Sequence, residues 1–163
     1  MMSYPETQAG ASQAPAMTRP GTLIAALGVT IVAALVAIVD SVVFLSGSKD
    51  AAADALNSAI GAAPDEDVAA VASTLNTRAY VFIVCAVLLL LFGLLSAKAA
   101  VWARVLTTIV SDAVLGMGLR MFSDIGTGLM QGLAAVAAIL AIATIVLIWL
   151  PANGRYAKAL KSA

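Results

Sequence analysis

Histidine is absent from this 163-residue chain, and cysteine occurs once, at Cys85. The first absence removes the commonest general base and the commonest metal ligand. The second excludes an intrachain disulfide and a cysteine-held metal cluster. Charge is scarce as well. Only 11% of residues are charged, and nine Lys and Arg balance nine Asp and Glu. No net field draws in nucleic acid. No nucleophile stands beside a base, no metal ligand set recurs, and no glycine loop suits a phosphate. The chain is therefore expected to be neither an enzyme nor a cofactor carrier.

Apolar residues fill the space that charge leaves, at 62% of the chain. A soluble domain is about half apolar and about one quarter charged. A chain of this length has too little interior to hide that surface from water, so the expected solvent is a lipid bilayer. Four runs are long enough to cross one: residues 22–45, 79–97, 101–119 and 129–150. A crossing helix needs about 20 mostly apolar residues. The runs are continuous rather than alternating, which favours helices over a barrel. The expected class is all-α, an integral membrane protein of four transmembrane helices. The apolar core of the first run is too long for a secretory signal.

Three stretches lie outside the runs. Residues 1–20, rich in Pro, Ala, Gln and Ser, read as a disordered tail. Residues 46–78 form an outer loop. Leu56 and Ile60 are spaced by four, and Val68, Val71 and Leu75 by three and four, which predicts a short helical hairpin turning at "GAAP". Its second arm is expected to be able to continue into the second span. Asp65, Glu66 and Asp67 suit a helix start, but as neighbours on a helix they diverge and make a poor metal site. Residues 151–163 form a basic tail. Arg155, Lys158 and Lys161 recur there at a spacing of three, as a short helix on anionic headgroups or a frayed end. Pro151 and Gly154 are expected to end the fourth span. The join between the second and third spans lacks Gly and Pro. A tight turn is expected near residues 96–100, because one unbroken helix would be about 60 Å long.

Lys and Arg set the orientation. Arg19, Lys98, Arg104, Arg155, Lys158 and Lys161 fall on one side, and Lys49, Arg78 and Arg120 on the other. That places both termini in the cytoplasm and the protein in the plasma membrane.

A few polar residues lie deep. Asp112 is about 16 Å into the third span, near the midplane, with Thr108 one turn before it. The expectation is a hydrogen bond from this acid to a neighbouring span, as a clamp between helices or as part of a proton or cation path. Asp40 and Arg120 reach the same level, about 27–28 Å from the inner edge. An ion pair between the first and third spans is expected there, with Arg78 as the competing partner. Gly128 and Gly132 form a G-x-x-x-G step for close helix packing, and Ala33 and Ala37 offer another. Cys85 reads as inert packing within an apolar span. The glycine-dense stretch from residue 116 to 132 reads as a hairpin turn, with a re-entrant filter loop as the alternative.

"TRPGTL" before the first span, "VWARVLTTIV" opening the third and "WLPANGRYAKA" closing the fourth resemble a large group of uncharacterised four-helix membrane proteins from actinobacteria. The resemblance implies four spans, a Pro-rich cytoplasmic tail and an outer Ala-rich loop. It implies no activity. Two functions stay open. One is a non-enzymatic accessory or scaffold subunit that packs against other membrane proteins or itself. The other is a small transporter or channel component that uses a midplane carboxylate.

Overall fold

Pro20 begins the first helix. Its fixed extended backbone cannot continue a helix backwards, and its carbonyl accepts the amide of Leu23 at 3.0 Å. The computed structural model describes residues 20–98, 101–123 and 125–162, with side chains through residue 159. The tail expected over residues 1–20 lies, save Pro20, outside the described residues. So do residues 99 and 100 of the join between the second and third spans.

The described residues form five helices joined by short turns, and four of the helices are long and apolar enough to cross a membrane. Helix α1 spans Gly21–Ile60, α2 Asp65–Ser96, α3 Val101–Ser123, α4 Gly128–Ile148 and α5 Pro151–Ser162. Helix α1 differs from the expected span by running fifteen residues past Leu45. Ser46, Ser48, Lys49 and Asp50 lower hydropathy without breaking a helix, and the next Pro comes only at position 64. At 1.5 Å per residue α1 is about 60 Å long, and α2 about 48 Å. Both arms of the expected hairpin are thus continuous with the long apolar helices. The hairpin stands beyond the bundle and is sealed by buried Ser48, Ala51, Ala52, Ala72 and Leu75.

Gly61 turns the hairpin. Its φ of 83° lies in the left-handed region that only glycine enters cheaply. Asn57 braces the turn: its carbonyl accepts Gly61 N–H at 3.0 Å and its Oδ1 accepts Ala63 N–H at 2.9 Å. Asp65, Glu66 and Asp67 then occupy the first turn of α2, where acids favour the helix dipole.

The four long helices form a ring. Helix α1 packs on α2 and α4, and α3 packs on the same two, so α1 and α3 face each other diagonally. Chain direction alternates around the ring. Ser96 of α2 meets Thr107 of α3 at one end, called here the tail end. Phe44 of α1 approaches Gly126, just before α4, at the other, hairpin, end.

Small residues line the interior. Ala33, Ala37, Ala79, Ala86, Ala134 and Ala141 have no exposure, with Phe44, Phe82 and Leu89 filling between them. Gly93 and Gly118 sit at tight contacts between helices. A Cβ on Gly93 would stand 2.5 Å from the Thr30 methyl, and one on Gly118 would stand 3.1 Å from the Ala134 carbonyl oxygen. Gly128 and Gly132 do not serve this purpose, contrary to expectation. Both are exposed, with open space where a side chain would be. A spacing of four marks a helix face but not which way that face points.

Candidate functional site

Asp40 lies on the buried stripe of α1 that runs from Ala37 to Phe44. It has no exposure, and neither carboxyl oxygen has a hydrogen-bond partner. Its neighbour Ser41 is equally buried but is satisfied by the Ala37 carbonyl at 2.8 Å. The ion pair expected between Asp40 and Arg120 does not form. Arg120 is exposed on α3, and α3 stands diagonally across the ring from α1. Arg78, half-buried on α2, makes no hydrogen bond to Asp40 either.

Asp112 is the second correction. It sits at the middle of α3, but it is exposed and faces away from the bundle. The buried side chains on either side of it in sequence are Ser111 and Val114. Thr108, expected to share its bonding, is engaged elsewhere. The Thr108 hydroxyl donates to the Arg104 carbonyl at 2.9 Å and accepts the Trp149 indole N–H at 2.8 Å. The acid expected to clamp the helices therefore points outward, and the acid assigned an ion pair is the one sealed inside.

The polar contacts that do join helices gather at the tail end. The fourth long helix stops at Ile148, just before Pro151, as expected, but Gly154 lies inside the next helix rather than ending one. Pro151 occupies the first position of α5, where its missing N–H costs nothing. Two residues later Asn153 is fully buried. Its Oδ1 accepts the Thr22 hydroxyl of α1 at 2.7 Å. Its Nδ2 donates to the Leu147 carbonyl of α4 at 2.8 Å. Its backbone carbonyl accepts Nη2 of Arg104, on α3, at 2.7 Å. One residue thus fastens α5 to three spans. The expectation did not single out Asn153, because "PANG" reads locally as a turn. The available signal was an amide placed among apolar residues and flanked by an aromatic belt.

Arg104 is itself 5% exposed, and its Nε has no partner. Above it, Ser96 and Thr107 share a hydrogen bond of 2.9 Å between α2 and α3. The buried hydroxyls of Thr30, Ser41, Thr107 and Thr144 donate to carbonyls of their own helices. Such back-bonding satisfies a hydroxyl in an apolar bundle without a partner helix. Ser111 is the exception, buried with its Oγ unpartnered. Among the described residues no group of three His, Cys, Asp or Glu side chains is placed to hold a metal ion. No family model matches the chain, and neither a curated protein nor a solved structure does.

Proposed function

We propose that this chain is a non-enzymatic, multi-pass membrane protein that works by lateral association in the cell envelope. The outer strip of α3, formed by Val105, Ile109, Asp112 and Gly116, packs against a transmembrane helix of a partner subunit or a second copy. The observation that carries this reading is the exposure of Asp112 halfway along a membrane-length helix. An acid left against acyl chains at that depth costs about 2.5–3.5 kcal/mol on insertion scales. A partner offering a hydroxyl, amide or cation at the same level removes that cost. Gly116, one turn further, has open space around it and lets a second helix come close. The Lys and Arg distribution orients this assembly in the plasma membrane with both chain ends in the cytoplasm.

The test is the state of the full chain extracted from native membranes in mild detergent and weighed by native mass spectrometry. The wild type is expected in complex, with itself or another membrane protein, and Asp112→Leu alone. A wild type that runs as a lone chain, indistinguishable from Asp112→Leu, refutes lateral association.

Asp40 favours a second reading, a transporter or channel component. A carboxyl group enclosed in the bundle without a partner is a natural stopping point for a proton or monovalent cation. Its test is flux in proteoliposomes: transport that Asp40→Asn abolishes supports it, and no flux above empty vesicles removes it.

A further inference from the structure

Where α4 gives way to α5, the chain leaves a cavity of about 200 Å³. Its walls are mostly apolar, from Val101, Ile148, Leu150 and Ala157. Two cationic side chains, Arg104 and Lys158, also line it. Arg104 is the informative one. It is nine-tenths buried, one face of its guanidinium is spent on the Asn153 carbonyl, and its Nε is left without a partner. Among the described residues no acidic side chain pairs with it. The sequence holds no Asp or Glu from residue 79 to 111 or from residue 125 to its end, and the described part of α1 holds none before Asp40. The nearest acid on its own helix, Asp112, lies about 12 Å further along the axis. A buried cation without a counter-charge is costly unless an anion completes it.

The position narrows the anion's chemistry. The cavity opens at the end of membrane-length helices, beside Trp149 and a basic helix, which is where headgroups meet acyl chains. We propose that it is a binding site for an anionic phospholipid. The phosphate lies against Arg104 and Lys158, and the first methylenes lie on the Val101, Ile148 and Leu150 wall. The guanidinium fork suits phosphate oxygens, and the wall suits the part of the ligand that a free phosphate lacks. This inference is independent of Asp112.

Trp149 reports on the site, because it lines the cavity and its indole is held by Thr108. The full chain carrying Trp102→Phe is reconstituted into phosphatidylcholine vesicles doped with acyl-brominated phosphatidylglycerol or acyl-brominated phosphatidylcholine, and quenching of Trp149 is measured. The anionic lipid is expected to quench with about a fivefold larger constant, the preference one buried cation confers. Arg104→Gln is expected to erase the preference, but it also removes a bond that anchors α5. Gly154→Phe is therefore the deciding variant. Gly154 lines the cavity with open space at its Cβ position, so a phenyl group fills the cavity while every cation stays. Loss of preference in Gly154→Phe supports the site. Equal quenching by the two lipids in the parent protein overturns it, as does a preference that survives Gly154→Phe. Relief of quenching by added inorganic phosphate assigns the cavity to a free anion and overturns the lipid.

Discussion

Arg104 donates from Nη2 to the backbone carbonyl of Asn153 across 2.7 Å, so a residue near the start of α3 holds a helix that begins forty-seven positions later. The same asparagine side chain bonds to α1 and α4. Helix α5 is twelve residues long, which is marginal for a helix on its own. Its place depends on these bonds.

Asn153→Ala is therefore expected to free α5 while leaving the four spans intact. It removes two side-chain bonds and leaves the Thr22 hydroxyl without its partner, while the Leu147 carbonyl keeps the Leu150 N–H at 3.4 Å, a loss of about 1–3 kcal/mol. Hydrogen exchange in detergent should show amides of residues 153–159 exchanging faster, with those of α2 unchanged. Unaltered exchange in α5 would mean that the asparagine is not its anchor.

Glycines divide into two kinds that the structure separates cleanly. Gly118→Val forces a side chain against the Ala134 backbone and is expected to cost about 1–3 kcal/mol through overpacking. Gly132→Ala meets open space inside a helix and is expected to stabilise by about 0.5–1 kcal/mol, the usual difference between the two residues. Thermal unfolding of both variants in one detergent checks the contrast. If both lower Tm equally, the packing of α3 on α4 is different from that described.

These glycines also show what was legible in the sequence. The four long apolar helices followed from hydropathy alone, because length and apolar content determine what a bilayer accepts. Facing did not follow. In water an amphipathic helix announces its buried side, but here the bundle interior and the lipid are both apolar, so the period carries little contrast. Counting along the helices put Asp112 at the midplane and Asp40 near the far end. It was silent on which acid turned inward. The length of α1 was hidden for a related reason: the polar residues from Ser46 to Asp50 end a hydrophobic run without ending a helix. The tail-end network rests on Asn153 and Thr22, which come together only when the first and last helices of the ring are side by side.

Gly61 gives the hairpin its turn at φ 83° and ψ −133°, so Gly61→Ala is expected to strain that turn by about 1–3 kcal/mol. The strain should stay local. A protease site engineered at Ala62 is expected to be cut faster in the variant, with Tm of the bundle shifted little. Equal cutting rates would show that the turn tolerates a side chain.

Asp40 supplies the sharpest test of whether stability has been traded for function. Its two oxygens are buried and have no hydrogen-bond partner. Burying a polar group without a hydrogen bond costs about 1–3 kcal/mol by mutational measures, and an ionised one costs more. Asp40→Ala removes that cost and one small volume from a core already lined by alanine. It is expected to raise the unfolding midpoint in detergent, whereas truncation of a well-bonded side chain lowers it. A rise means the acid is kept at the expense of the fold, which points to a proton or cation that visits the bundle. A fall means that a partner completes the carboxyl in the native protein and holds α1 in place. In that case the same variant should unfold at the same temperature across a pH series in which the wild type shifts.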